Sequence, residues 1–165
     1  MKKNIIAISR EFGSGGRTIG RLVAQKLGIQ FYDRDIIKKV VEESGLTRKY
    51  VEHYGEFAPS ADQRFAYSFV GLDEDSNSPL VQLWKTREKV IKDFATAKPC
   101  VIVGSCADYI LREMKPYRIF IYADLDSRIK RCVARSTTSE QYTEKQLKKH
   151  ILKIDKGRAK YYEYY

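Results

Sequence analysis

Residues 6–28, IAISREFGSGGRTIGRLVAQKLG, decide the reading of this sequence. Residues 4–9, NIIAIS, form a short apolar, β-rich run; Gly13, Ser14, Gly15 and Gly16 follow, and Ile19, Leu22, Val23 and Leu27 then recur at helical spacing until Gly28. A strand that ends in glycines and opens a helix turns several backbone N–H groups toward one point, and the helix dipole adds positive potential there. An anion suits such a point. Glycine is needed because the backbone must turn sharply and approach the anion with no Cβ between them.

The phosphate-binding consensus G-x-x-x-x-G-K-[ST] aligns its last three positions with Gly16, Arg17 and Thr18, and its first glycine with Glu11. The final glycine and the magnesium-binding hydroxyl match, the lysine has become arginine, and the first glycine is lost. An ammonium can bridge two phosphates from within the loop, whereas a planar guanidinium forks against one or two oxygens and needs more room. Arg17 is therefore either a phosphate contact or a partner of Glu11 or Asp33.

Outward from this block, IQFYD reads as a second short strand and DIIKKVVEESG as a helix with Asp33 and Asp35 at its N-terminus. Between about residues 47 and 80 the pattern weakens into a loop-like insert with short helical pieces. PLVQLWKTREKVIKDFATA is a helix that starts on Pro79, with an apolar stripe of Leu80, Leu83, Trp84, Val90, Ile91 and Phe94. PCVIVG and YRIFIYA read as buried strands, ADYILREM and DSRIKRCVARS as helices, and EKQLKKHILKIDKGRAKYYEYY as a long last helix. The alternation predicts an α/β fold with a parallel sheet.

With 165 residues the chain suits one domain. It has no apolar run long enough to span a membrane, and its opening apolar stretch is too short for a secretory signal, so a cytoplasmic protein is expected. Cys100, Cys106 and Cys132 carry no C-x-x-C spacing, and His53 and His150 stand far apart; neither a disulfide framework nor a zinc site is indicated. The formal charge is +10, and residues 112–165 alone hold fourteen Lys or Arg against seven Asp or Glu. Such a surface is either a solvated helix face or a seat for nucleotide phosphates, a nucleic acid or an anionic membrane.

The opening block, followed in order by CVIVGSCADYIL, RIFIYADLDSRIKR and KIDKGRAKYYEYY, closely resembles the cytidylate kinase-like family. The resemblance covers essentially the whole chain. It implies a P-loop NTPase-type three-layer α/β/α fold related to nucleoside monophosphate kinases. One domain over 1–165 would divide into a core at 1–34 and 98–165, an acceptor-binding insert at about 35–97 and an arginine-rich lid at about 128–158. It implies ATP and Mg²⁺ as cofactors and a nucleoside monophosphate acceptor, CMP or dCMP. Membrane is not expected as a partner, and nucleic acid only on the third reading below.

The site residues follow from the matching blocks. Gly13, Ser14, Gly15, Gly16, Arg17 and Thr18 would hold the donor phosphates, with Thr18 on Mg²⁺. Arg128, Arg131 and Arg135, spaced three then four, would share one helix face toward the triphosphate, and Arg158 matches a second lid arginine with Asp155 to orient it. Arg17, Arg131 and Arg158 would stabilise the transferred charge. Asp33 and Lys39 would orient the acceptor, with a helix cap as the other reading of Asp33. Asp108 would face the acceptor base or the magnesium ion, or merely solvate a helix N-terminus.

Three departures stand out. Asp35, Lys38 and Lys39 alter the acceptor block FYDRDIIKK, and Ser105 replaces the arginine that the family commonly places after Val-Gly to reach the acceptor phosphate. Lys39 or Arg64 is the expected substitute. Relatives also continue past YYEYY into a last strand and helix, so a missing edge strand is expected, which favours either a homodimer or poor stability. Two readings compete with the kinase: a nucleotide-binding regulatory or partner-binding protein without turnover, and a nucleic-acid binder acting through the basic C-terminal half.

Overall fold

The computed structural model describes residues 4–55, 78–135 and 143–164. Most of the expected insert, Arg64 included, lies outside the described residues. Strands β1 (Ile5–Arg10), β2 (Gln30–Tyr32), β3 (Cys100–Val103) and β4 (Tyr117–Ile121) form one sheet in the order β2-β3-β1-β4. Every pairing is parallel.

The central strands are apolar on both faces, and alternation sorts their side chains into two cores. Ile5, Ala7, Cys100 and Ile102 face helices α2 (Arg34–Ser44), α3 (Arg48–Gly55), α4 (Pro79–Ala97) and α5 (Ala107–Ile110). Ile6, Ile8, Val101 and Val103 face α1 (Gly16–Leu27). The result is a helix–sheet–helix sandwich. Helices α6 (Leu125–Arg135) and α7 (Glu144–Tyr164) add a small third cluster of Ile129, Leu147 and Ile151, against which Phe12 of the glycine turn packs.

Gly20 sets how closely α1 approaches the sheet. A Cβ there would stand 2.8 Å from Val103 Cγ2 and 3.2 Å from Ile8 Cδ1. Gly28, left-handed, closes α1 as the sequence leads one to expect, and Gly45, also left-handed, closes α2.

Two expectations need correction. YRIFIYA reads as a buried strand, yet Tyr117 is 66% and Phe120 59% exposed, because β4 is the last strand of the sheet among the described residues. ADYILREM is not one helix: it is broken into α5 and a 3₁₀ turn at Arg112–Met114. A sharp turn precedes α5, with Gly104, Ser105 and Cys106 all in left-handed backbone (φ 81°, 56° and 51°).

Candidate active site

The glycine turn lies where β1 gives way to α1, at the carboxyl end of the sheet, the edge at which open α/β folds bind ligands. Gly13 and Gly15 are left-handed (φ 78° and 92°), which permits the chain to coil back on itself. The Ser14 hydroxyl, buried, donates to the Glu11 carbonyl at 2.9 Å and fixes the turn. No side chain caps the N-terminus of α1, so its first N–H groups remain directed into the turn.

Arginines from the two C-terminal helices surround that turn. Arg131 donates from Nη1 to the Gly13 carbonyl at 2.8 Å, and its guanidinium carbon lies 3.4 Å from where a Gly15 Cβ would be. Arg135 donates to Thr18 Oγ1 at 2.7 Å. Arg158 donates to the Arg10 carbonyl at 3.3 Å and stands over the Phe12 ring. Arg128 departs from the shared helix face expected of it. It is 5% exposed and donates to Asp155 and to the Phe12 carbonyl, with Glu11 3.5 Å away. Asp155 also accepts the Phe12 N–H at 2.7 Å. Arg128 thus ties α6, α7 and the glycine turn together from the interior.

On the other side, Arg17 Nε pairs with Asp33 at 2.6 Å, so the pairing alternative for Arg17 is the one realised in this state. Asp33 precedes α2 without capping it: its side chain makes no cap hydrogen bond. Lys39 reaches Glu42 and Glu43 on its own helix, at 3.7 and 3.6 Å, and does not line either cavity described below. Asp108 accepts hydrogen bonds from Tyr162 at 2.6 Å and from Ser9 at 3.4 Å, and the Ser9 and Tyr162 hydroxyls also touch each other. Burial, and then the hydrogen bond to Asp108, raise the Tyr162 phenol above its usual range. Burial, with Asp108 adding to it, pushes the Cys106 thiol up to about 12, while the positive charges of Arg87 and Arg10 act in the opposite sense.

Two cavities meet at the ends of β1 and β3. The larger, about 260 Å³, is bordered by Ser9, Arg10, Ser105, Asp155, Arg158 and Tyr162. The smaller, about 30 Å³, is bordered by Arg10, Asp33, Glu52, Arg87, Val103 and Ser105. Arg10 and Ser105 belong to both. Arg10 and Arg87 escape a motif search, but each leaves a signal: Arg10 is the last residue of β1, and Arg87 interrupts the apolar stripe of α4 between Leu83 and Val90.

Among the described residues no three His, Cys, Asp or Glu side chains gather as a metal cluster. The Thr18 hydroxyl, expected on magnesium, accepts from Arg135, which sets a cation beside it. Asp108 and Ser9 supply one carboxylate and one hydroxyl at the end of β1. Such a set fits a magnesium ion that keeps most of its shell as water and substrate phosphate.

The family model described as the cytidylate kinase-like family matches residues 5–165. Among solved structures, an uncharacterized protein from Eubacterium ventriosum is 27% identical (TM-score 0.63; 98% of this chain and 77% of that chain covered). Shikimate kinase from Bacteroides thetaiotaomicron is 15% identical (TM-score 0.59; 97% and 82% covered). TT1252 from Thermus thermophilus is 17% identical (TM-score 0.54; 94% and 80% covered). The last two likenesses establish the P-loop kinase fold and nothing finer. No curated protein matches the chain. No helix among the described residues is long and apolar enough to cross a membrane.

Proposed function

Because the chain belongs to the cytidylate kinase-like family, we propose that it transfers the terminal phosphoryl group of ATP to a nucleoside monophosphate, with CMP or dCMP as the acceptor. The observation that carries this reading is the enclosure of one glycine turn by Arg131, Arg135 and Arg158 from two different helices. Several guanidinium groups around backbone N–H groups match a triphosphate and little else of that size. In the donor complex Arg131 and Arg135 would exchange their bonds to Gly13 and Thr18 for phosphate oxygens.

Transfer then requires little covalent work from the protein. An oxygen of the acceptor phosphate, already anionic, attacks the γ-phosphorus while the bond from that phosphorus to the departing ADP oxygen breaks, so no general base is needed. Arg17, Arg131 and Arg158 stabilise the equatorial oxygens, and Asp33 positions the acceptor. Thr18 or Asp108 would hold Mg²⁺, which would supply further charge neutralisation.

A second reading, nucleotide binding without transfer, is favoured by Ser105 at the family's arginine position and by Tyr162 bonded to Ser9 and Asp108. A coupled assay separates the two. The kinase yields ADP only when CMP, dCMP, UMP, AMP or GMP is added, and no acceptor-dependent ADP, with ATP still bound, leaves the binder.

A further inference from the structure

We propose that Arg128 and Asp155 are positioning residues for the donor. From two different helices they grip both backbone groups of Phe12, and so hold the glycine turn in the shape that presents its amides to phosphate. The word donor rests on the phosphotransferase reading; the grip itself rests on the geometry that follows.

Phe12 lies between Glu11 and Gly13, where the chain leaves β1 and begins to coil. Its N–H donates to Asp155 Oδ1 at 2.7 Å, and its carbonyl accepts from Arg128 Nη1 at 3.3 Å. The same Arg128 nitrogen donates to Asp155 Oδ2, which closes a circuit of bonds through α6, α7 and one residue of the turn. Stability alone does not account for the pair. A buried ion pair adds little net stability, and apolar residues of similar size often replace one without loss. What Arg128 and Asp155 supply, and an apolar pair could not, is two directional bonds to the backbone of one residue.

The surroundings hold Phe12 against the same two helices. Its ring packs on the cluster of Ile129, Leu147 and Ile151 and meets His150 edge-on, with centroids 5.7 Å apart. Gly13, next in line, has φ 78°, and a Cβ on it would stand 3.0 Å from both the Arg128 carbonyl oxygen and Cys132 Sγ. The turn therefore lies directly on α6, at the residue that grips it. Glu11, in the place of the first consensus glycine, completes the arrangement. Its carboxylate accepts the Ala123 N–H at 3.2 Å and lies 3.5 Å from Arg128, while its carbonyl accepts from the Ser14 hydroxyl.

Electrostatics alone gives Asp155 the wrong sign for this place. A carboxylate beside a phosphate-binding turn repels a triphosphate, so its removal by itself would tighten donor binding. A positioning role predicts the reverse, because a misplaced turn forfeits bonds between its amides and the phosphates. The direction of the change separates the two.

The test is calorimetric titration of a non-hydrolysable ATP analogue with Mg²⁺ into the wild type, the double variant Arg128→Met/Asp155→Leu, Asp155→Asn and Asp155→Ala. Each is titrated at a temperature where it is folded. Hydrogen exchange of the ligand-free proteins is read alongside, over residues 10–18 and over β3. The double variant leaves the net charge unchanged and is expected to bind the analogue about tenfold to a hundredfold more weakly than the wild type. Its exchange is expected to quicken over 10–18 and to stay unaltered over β3. Asp155→Asn keeps an oxygen for the Phe12 N–H, so it is expected to bind more tightly than Asp155→Ala although both lose the charge. Wild-type affinity in the double variant, equal affinity in Asp155→Asn and Asp155→Ala, or tighter binding in Asp155→Ala than in the wild type each overturns the proposal. Should the double variant not fold, the two single variants carry the comparison. If the wild type binds no analogue, the nucleotide reading falls alone, and the exchange data decide the grip: unchanged exchange over 10–18 overturns it.

Discussion

Arg17 Nε stands 2.6 Å from a carboxylate oxygen of Asp33, so the residue in the place of the P-loop lysine is held by the segment that follows β2. The guanidinium is half-exposed, and a pair of that kind contributes at most about 1 kcal/mol to stability. Arg17→Ala is therefore expected to leave the urea midpoint nearly unchanged while acceptor-dependent ADP formation falls by about tenfold or more. Full activity in the variant would assign Arg17 to its pairing with Asp33 and nothing else.

Arg128 presents the opposite case. Its guanidinium is buried and reaches Asp155 and the Phe12 carbonyl. Asp155→Asn leaves that charge poorly compensated and is expected to destabilise the fold by about 3 kcal/mol, read as a lower urea midpoint with an unchanged slope. A loss under about 1 kcal/mol would show that water reaches the pair and that Arg128 is no strut.

Gly20→Ala tests the seating of α1. Alanine would gain up to about 1 kcal/mol in helix propensity, but its Cβ would be 2.8 Å from Val103 Cγ2 and 3.3 Å from the Phe31 ring. Overpacking is expected to win, with a net loss of about 1 to 2 kcal/mol in thermal or urea unfolding. A stabilised variant would mean that the sheet face yields at that point.

The buried thiols predict alkaline sensitivity. Burial pushes Cys100 up to about 11 from an ordinary 9.0, and Cys106 up to about 12. The native chain then keeps protons that the unfolded chain releases, so this contribution is intact below about pH 9 and is lost as pH rises toward 11 and 12. Urea unfolding at increasing pH should show falling stability above about pH 9, and Cys100→Ala should flatten that fall. An unchanged slope in Cys100→Ala would put the loss on other groups.

Local signals carried most of the fold. Helix α4 begins at Pro79 and ends at Ala97, where proline and the apolar stripe place it, and β3 occupies the apolar run after Pro99. What failed depended on neighbours distant in sequence. YRIFIYA has the composition of a buried strand, but its position at the end of the order β2-β3-β1-β4 decides its exposure. The three-then-four spacing of the lid arginines is a true helix-face pattern, yet Asp155, on another helix, draws Arg128 inward. Lys39 stood at a motif position and turned to its own helix, whereas Arg87, which matches no motif, borders the cavity.

Gly20 sits one helical turn behind the glycine turn and lets α1 rest directly on Ile8 and Val103. That close seating holds the first turn of α1 against the sheet, so the end of the glycine turn that joins the helix has little room to shift. A loop anchored at that end would lose less conformational entropy on filling, leaving fit and charge to set more of the affinity. Inorganic oxyanions of phosphate size would then act as simple competitors of the nucleotide, with equal potency whatever the acceptor, and their inhibition would weaken as ionic strength screens the arginines.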